Sequence, residues 1–346
     1  MSGRDPGLRL TLLAGVSVLA LAVGAQNVRA SDLAERASAK AAQAAAYDPS
    51  WTWWVEGGAF DTAGKAVGTG SQTLVPNGQI IPGFGGFRPN WGGEAAIGFD
   101  WKAPAFDPWH ISAQFRYGKA TKSQPYAANF AGTAPFFPPA VITFVGSASA
   151  NQDLREDHWL LDFAVGRDFG LGTSKAQWKV GVRVADLRAK LTTNGGFATT
   201  AHLCFIGCIP FGTVAGNFSE QQKSTFLGVG PRLGVEGETP LAGHWSVDWQ
   251  GGVAVLFGKR SLNQTFSAAA TATVASITQS SSSRAAVFNP DGQIGLSYSF
   301  NPNFKLTASY RVDAYFNALR TIDSAGNIVN ADRIYHGPML RLTTQF

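Results

Sequence analysis

The 346-residue chain carries a formal net charge of +5, with 15% charged and 12% aromatic residues and 40 glycines, at a mean hydropathy of −0.01. An α-helical membrane protein is far more apolar, and no stretch reaches the roughly 18 consecutive apolar residues that a spanning helix needs. The charge also argues against a nucleic-acid partner: residues 1–30 hold three basic residues and one acidic one, so without them 25 basic face 22 acidic, or +3.

Arg4 and Arg9 precede an apolar run from Leu10 to Val23, and Val28-Arg29-Ala30 supplies a small-residue cleavage site. Residues 1–30 read as a secretory signal peptide, with an uncleaved anchor as the alternative. Any later membrane insertion must then be as a closed barrel, in which no backbone group is left unpaired in lipid. Asp32-Leu33-Ala34-Glu35 has capping-box spacing ahead of an Ala-rich run to Ala46. A short helix is expected within residues 31–50, as a periplasmic tether or tucked into the barrel mouth.

From Trp51 onward the chain alternates, and ten segments carry an apolar face long enough for a tilted spanning strand. They run Trp51–Phe60, Asn90–Trp101, Trp109–Lys119, Asp157–Phe169, Gln177–Leu187, Ser224–Glu236, Trp245–Lys259, Asp291–Phe300, Phe304–Phe316 and Ile334–Phe346. The parity is strict in several: Trp109, Ile111, Ala113, Phe115 and Tyr117 on one side, His110, Ser112, Gln114 and Arg116 on the other. The connections alternate between long (61–89, 120–156, 188–223, 260–290, 317–333) and short (102–108, 170–176, 237–244, 301–303). Short periplasmic turns and long extracellular loops distinguish an outer-membrane barrel from a soluble sandwich. The aromatics agree, because Trp101, Trp109, Phe169, Trp178, Trp245, Phe300, Phe304 and Phe346 lie at the short-turn ends on the apolar parity, as one girdle. Residues 51–346 are therefore expected to form an all-β, antiparallel up-and-down transmembrane barrel of ten strands. Twelve is the alternative, with Ala140–Val145 belonging to an extra pair.

The opposite parity faces inward and carries Glu56, Glu94, Arg116, Lys179, Arg183, Arg232, Glu236, Asp248, Lys305, Arg311, Asp313 and Arg341. One Arg or Lys facing lipid at the midplane costs about 2–4 kcal/mol, so these charges must face water or each other. Two outcomes compete: a salt-bridged plug that fills a small barrel, or a narrow wet bore. Many other inward residues are small, among them Gly58, Gly98, Gly228, Gly252 and Gly295, and the room they leave points to a water-filled, pore-lining role for the charges. Gly230-Pro231 and Gly337-Pro338 interrupt two strands and are expected to mark bulges or irregular upper parts.

The only cysteines, Cys204 and Cys208, lie in one long loop of an exported chain, so a local disulfide is expected; with His202 they are one ligand short of a closed zinc site. Asp157, His158, His110, Asp162 and His336 are hydrolase residue types, but no spacing-specific motif accompanies them, and solvation of the lumen is the simpler role.

Phe226-Leu227-Gly228-Val229-Gly230-Pro231-Arg232-Leu233-Gly234-Val235-Glu236, the strand ending Val255-Leu256-Phe257-Gly258-Lys259-Arg260, and the closing strand from His336-Gly337-Pro338 to Phe346 resemble the Legionella major outer membrane protein family of pore-forming barrels. The resemblance covers about the last third of the chain. It implies a porin-like barrel in a Gram-negative outer membrane and supplies no catalytic residue. With the inward parity, it gives the expected function: passive diffusion of small hydrophilic solutes and ions, with no enzyme activity and no cofactor. The alternatives are a structural or adhesive surface barrel with a filled lumen, and a rim hydrolase using Asp157, His158 or His336. The resemblance also implies two partners, outer-membrane lipid and the barrel-assembly machinery, the latter through the strand ending in Phe346.

Overall fold

The computed structural model describes residues 51–65, 72–73, 80–81, 91–102, 108–137, 140–172, 174–204, 207–270, 273–323 and 327–346. The expected signal peptide and Ala-rich helix lie outside the described residues. Every described element is a strand: β1 (Trp51–Gly64), β2 (Gln72–Thr73), β3 (Ile80–Ile81), β4 (Trp91–Lys102), β5 (Trp109–Phe137), β6 (Ala140–Leu171), β7 (Ser174–Cys204), β8 (Cys208–Pro240), β9 (Trp245–Ala270), β10 (Thr273–Asn301), β11 (Phe304–Ile322) and β12 (Ile328–Gln345). Ten of them, β1 and β4 through β12, hydrogen-bond in one closed ring of antiparallel neighbours, while β2 and β3 pair only with each other.

The ring closes between β1 and β12. Glu56 stands opposite Arg341 and Val55 opposite Leu342, and Trp51 and Phe346 exchange backbone bonds of 3.2 and 2.9 Å. Closure removes the sheet edge, which is what allows strands to span lipid. The outward parity holds the apolar band, as in Ile97, Phe115, Phe163, Val182, Leu233 and Ile294, each exposed. Aromatics collect at the short-turn end: Trp109 meets Trp178 edge-on at 5.6 Å, Trp245 meets Tyr298 at 4.9 Å, and Phe346 is 61% exposed.

Most of the expected long loops are strand. β5 continues to Phe137 and β6 begins at Ala140, so Ala140–Val145 starts a ring strand and belongs to no extra pair. Likewise β7–β8 and β9–β10 extend through residues 188–223 and 260–290. The physical reason is that an apolar outward parity marks only the part of a strand in lipid. Above the membrane the outward face meets water while the inward face is buried but partly polar, as at Gln152, Thr193, Glu220, Gln222 and Gln264, so polar residues fall on both faces without contrast and the pattern reads as loop.

The two Gly-Pro pairs interrupt ladders without shifting them, which corrects the expected bulges. Across β8–β9 the pairs Val229–Phe257 and Arg232–Ala254 keep one register, as do Gly58–Met339 and Asp61–His336 across β1–β12. Proline withholds one donor, while on the other side Pro231 still pairs with Val182 and Pro338 with Tyr310. Glycine is required beside each: a Cβ at Gly230 would strike the Val255 carbonyl oxygen, and one at Gly337 the Ala59 carbonyl oxygen. A real register shift falls between Tyr315 and Leu319 of β11, where Asn317 has φ +58° and its N–H donates to Asp332 Oδ1 at 2.8 Å.

Candidate functional site

From the short-turn end the inner face of the barrel passes through three levels, above which Gln152, Glu220, Gln264 and Phe266 are also buried. At the short-turn end a cavity of about 310 Å³ is lined by Trp54, Asp100, His110, Lys179, Glu236, Glu238, Asp248, Lys305 and Arg341 among others. Its ammonium groups are shared between carboxylates: Lys179 Nζ lies 2.9 Å from Asp100 and 2.7 Å from Glu236, and Lys305 Nζ 3.0 Å from Glu238 and 2.9 Å from Asp248. His110 bridges Asp100 and Asp168 at 2.7 and 3.0 Å, and the Arg341 guanidinium lies over the Trp54 ring at 4.4 Å.

At the waist the charges form a lattice. Arg183 forks onto Asp162 at 2.7 and 2.8 Å, and its third nitrogen donates to Asn289 at 2.6 Å and Asp291 at 2.8 Å. Arg232 reaches Asp291 at 2.8 Å. Arg311 contacts both Glu56 and Glu94, Arg116 contacts Asp313, Arg341 reaches Glu56 at 2.8 Å, and His158 Nε2 lies 2.8 Å from Glu94. The guanidiniums of Arg116, Arg183, Arg232, Arg311 and Arg341 thus meet the carboxylates of Glu56, Glu94, Asp162, Asp291 and Asp313, a balanced set. Buried charges persist only when paired and hydrogen-bonded in this way.

Toward the extracellular side the lattice gives way to an apolar layer that includes Phe60, Leu160, Leu187, Phe226, Leu256, Val287, Tyr315, Tyr335 and Met339. His158 joins the levels, stacking on Tyr335 at 4.2 Å and meeting Phe60 edge-on at 5.1 Å. Every strand of the ring contributes a buried inward side chain to these two levels: Phe60 1%, Glu94 6%, Arg116 2%, Leu160 1%, Arg183 0%, Phe226 0%, Leu256 0%, Val287 0%, Tyr315 0% and Tyr335 3% exposed. The bore is filled here.

The expectation that small inward residues hold water is corrected by their neighbours. A Cβ at Gly98 would strike the Trp54 ring, one at Gly228 would sit 2.5 Å from the Phe226 ring, one at Gly58 would sit 2.6 Å from Met339 Sδ, and one at Gly252 would sit 2.7 Å from an Arg232 nitrogen. At these four glycines, large side chains from the same or adjacent strands occupy the room, while Gly295 packs against Ser309 and Thr307.

A family described as Legionella pneumophila major outer membrane protein precursor matches residues 88–346. The chain belongs to this family. As a member of the Legionella major outer membrane protein family it is a barrel of the bacterial outer membrane, with its apolar band in contact with lipid. No curated protein matches it in sequence. Among solved structures it is similar to the outer membrane protease OmpT from Escherichia coli, at 9% identity and TM-score 0.42 over 86% of this chain and 96% of that one. It is also similar to the translocator domain of the autotransporter NalP from Neisseria meningitidis, at 11% and 0.31 over 93% and 100%. The toluene transporter TodX from P. putida matches at 8% and 0.21 over 88% and 92%.

In this family member the twelve charges read as pore-lining fall into two groups, with Arg232 and Arg341 joining the cavity to the lattice. Glu56, Glu94, Arg116, Arg183, Arg311 and Asp313 are buried in the lattice; Lys179, Arg232, Glu236, Asp248, Lys305 and Arg341 line the cavity below it. Asn289, Asp291 and Gln293 also belong to the lattice and share with Gly295 the inward period of two. Asn289 lies in the 260–290 segment expected as a loop, but belongs to strand β10. Cys204 and Cys208 are joined by a disulfide at the tip of the β7–β8 hairpin, which removes both from the zinc alternative. The hydrolase-type residues do not converge. Asp157 takes Arg155 Nε at 2.7 Å among the exposed groups, His158 is buried inside, and His336 Nδ1 pairs with the Tyr310 hydroxyl at 2.7 Å.

Proposed function

We propose that this protein acts as an outer-membrane barrel with a filled lumen, a structural or adhesive surface protein working through its elongated extracellular hairpins. The observation that carries this reading is the closed waist, to which all ten ring strands contribute a buried inward side chain. A hydrophilic solute would have to part a balanced ion lattice and then a packed apolar layer; breaking one buried pair alone costs about 3–5 kcal/mol. The reading includes no cofactor and no catalysis, consistent with the scattering of Asp157, His158 and His336.

The charged cavity at the periplasmic end favours a second reading, a porin-like channel for small hydrophilic solutes and ions. In it, Lys179, Arg232, Glu236, Asp248, Lys305 and Arg341 line the periplasmic half of the path, and conduction begins when the lattice opens. Planar-bilayer recording on refolded, heat-modifiable protein separates the two. A silent barrel supports the filled lumen, and stepwise conductance by the unmodified protein overturns it in favour of the channel. In either case Phe346, exposed at the closing strand, is assigned as the end that the barrel-assembly machinery recognises. A Phe346→Ala variant is expected to accumulate unfolded, with a smaller heat-modifiable fraction on cold electrophoresis; an unchanged fraction removes the assignment.

A further inference from the structure

The outer wall carries a charge pattern that neither reading of the lumen uses. One or two outward positions beyond the last bulky outward residues of the lipid band, cations face out along β5–β10. Lys119 follows Tyr117, Arg155 precedes Trp159, Arg188 follows Val184, Lys223 precedes Leu227, Lys259 follows Phe257 and Arg284 precedes Phe288, with Lys190 one outward position past Arg188; all seven are exposed. They stand on the side of the long hairpins, the extracellular side of such a barrel, at the height of lipid headgroups.

Their register is unusual for a free surface. Arg155 stands opposite Lys190 and Lys190 opposite Lys223, so three cations lie side by side on three neighbouring strands. Lys259 stands opposite Arg284. Like charges directly opposite each other destabilise a sheet unless an anion lies between them. The protein supplies little of that anion. Asp157 is held by Arg155 at 2.7 Å, Asp186 by Arg188 at 2.5 Å and by the Trp159 ring N–H at 3.2 Å, and Asp153 lies one outward position above Arg155. The arc is also one-sided: at the same height on β1 and β12 the outward charges are Asp61, Asp332 and Lys65, and Lys65 donates to the Asn330 carbonyl.

We propose that this arc binds a phosphorylated glycolipid of the outer leaflet, with one phosphate on the Arg155–Lys190–Lys223 row and a second on the Lys259–Arg284 pair. Lys223 stands opposite Asn263, four residues along β9 from Lys259, which separates the two clusters by about 13 Å at about 3.3 Å per residue. That spacing suits a ligand with phosphates at the two ends of a disaccharide headgroup. Guanidinium and ammonium groups on flexible stems rise from the apolar band to meet such phosphates, while the acyl chains lie against the band below. The inference rests on the placement of the barrel in the outer membrane and is independent of whether the lumen conducts.

Diphosphoryl lipid A is the probe, titrated onto detergent-purified full-length protein with retained lipid counted by native mass spectrometry. The unmodified protein is expected to retain it at least tenfold more tightly than either the dephosphorylated lipid or phosphatidylglycerol. The variant Lys190→Gln/Lys223→Gln/Lys259→Gln/Arg284→Gln is expected to lose at least tenfold in affinity, and Lys65→Gln on the opposite arc to stay within twofold. Equal binding by a four-site variant that still migrates as a folded, heat-modifiable barrel overturns the proposal, as does phosphatidylglycerol binding as tightly as lipid A. Should the four-site variant fail to fold, Lys190→Gln/Lys223→Gln alone is expected to lose at least threefold, and its failure to do so overturns the proposal equally.

Discussion

Arg183 is wholly buried in the barrel, and its contribution is set by what its removal leaves behind. Arg183→Ala takes the bidentate partner from Asp162 and leaves Asp291 to Arg232 alone, so it is expected to destabilise the folded barrel by about 3 kcal/mol, read as a lower urea midpoint in lipid vesicles. Exposed Lys65, which among the described residues donates to a backbone carbonyl, is expected to give less than about 0.5 kcal/mol when changed to Gln in the same assay. Gly98 makes a steric counterpart. Its missing side chain seats the Trp54 ring, so Gly98→Val forces that ring off its place under Arg341, at about 1–3 kcal/mol and with a red-shifted tryptophan emission. No shift in emission would mean that the ring has another low-energy seat. The inward placement of both residues was legible from parity. Their partners were not, because parity says which face a side chain takes and nothing about which neighbour fills the space beside it.

At the scale of elements, the strands outrun the membrane. The β7–β8 hairpin is stapled near its tip by Cys204 and Cys208, four residues apart in sequence. A loop this short removes about 2 kcal/mol of chain entropy, and only locally, since the ladder below already fixes the hairpin. Changing both residues to serine is therefore expected to leave the barrel's unfolding midpoint unchanged while limited proteolysis cuts the tip faster; a lowered midpoint would show that the tip couples to the whole ring. The ten lipid-facing segments were legible because lipid imposes an apolar outward parity. The extensions above them were not, since their outward face meets water and their buried inward face carries polar residues such as Gln152, Thr193, Glu220 and Gln264, which erases that contrast. β11 ran past its expected end at Phe316 to Ile322, where the bulge at Asn317 breaks the period of two and hides the buried Leu319 and Ile322.

For the whole molecule, closure of the ring sets how the lumen packs, because it brings inward side chains from all ten ring strands to one axis. If the waist lattice is the main barrier, Arg311→Ala, which leaves Glu56 to Arg341 and Glu94 to His158, is expected to introduce brief conductance steps into an otherwise silent barrel. If the apolar layer around Phe226 and Leu256 is sufficient alone, that variant remains silent in the bilayer while less stable to urea. The sequence by itself determined the compartment class, the antiparallel barrel and the side of the wall each strand residue takes, because hydrophobic period and turn length follow from lipid and water acting on each strand separately. Only the tertiary structure decided that the waist is packed with inward side chains from all ten ring strands. A strand does not encode how its inward side chains meet those from across the barrel, and room left by a glycine on one strand is taken by a tryptophan, phenylalanine or arginine whose position depends on register and closure.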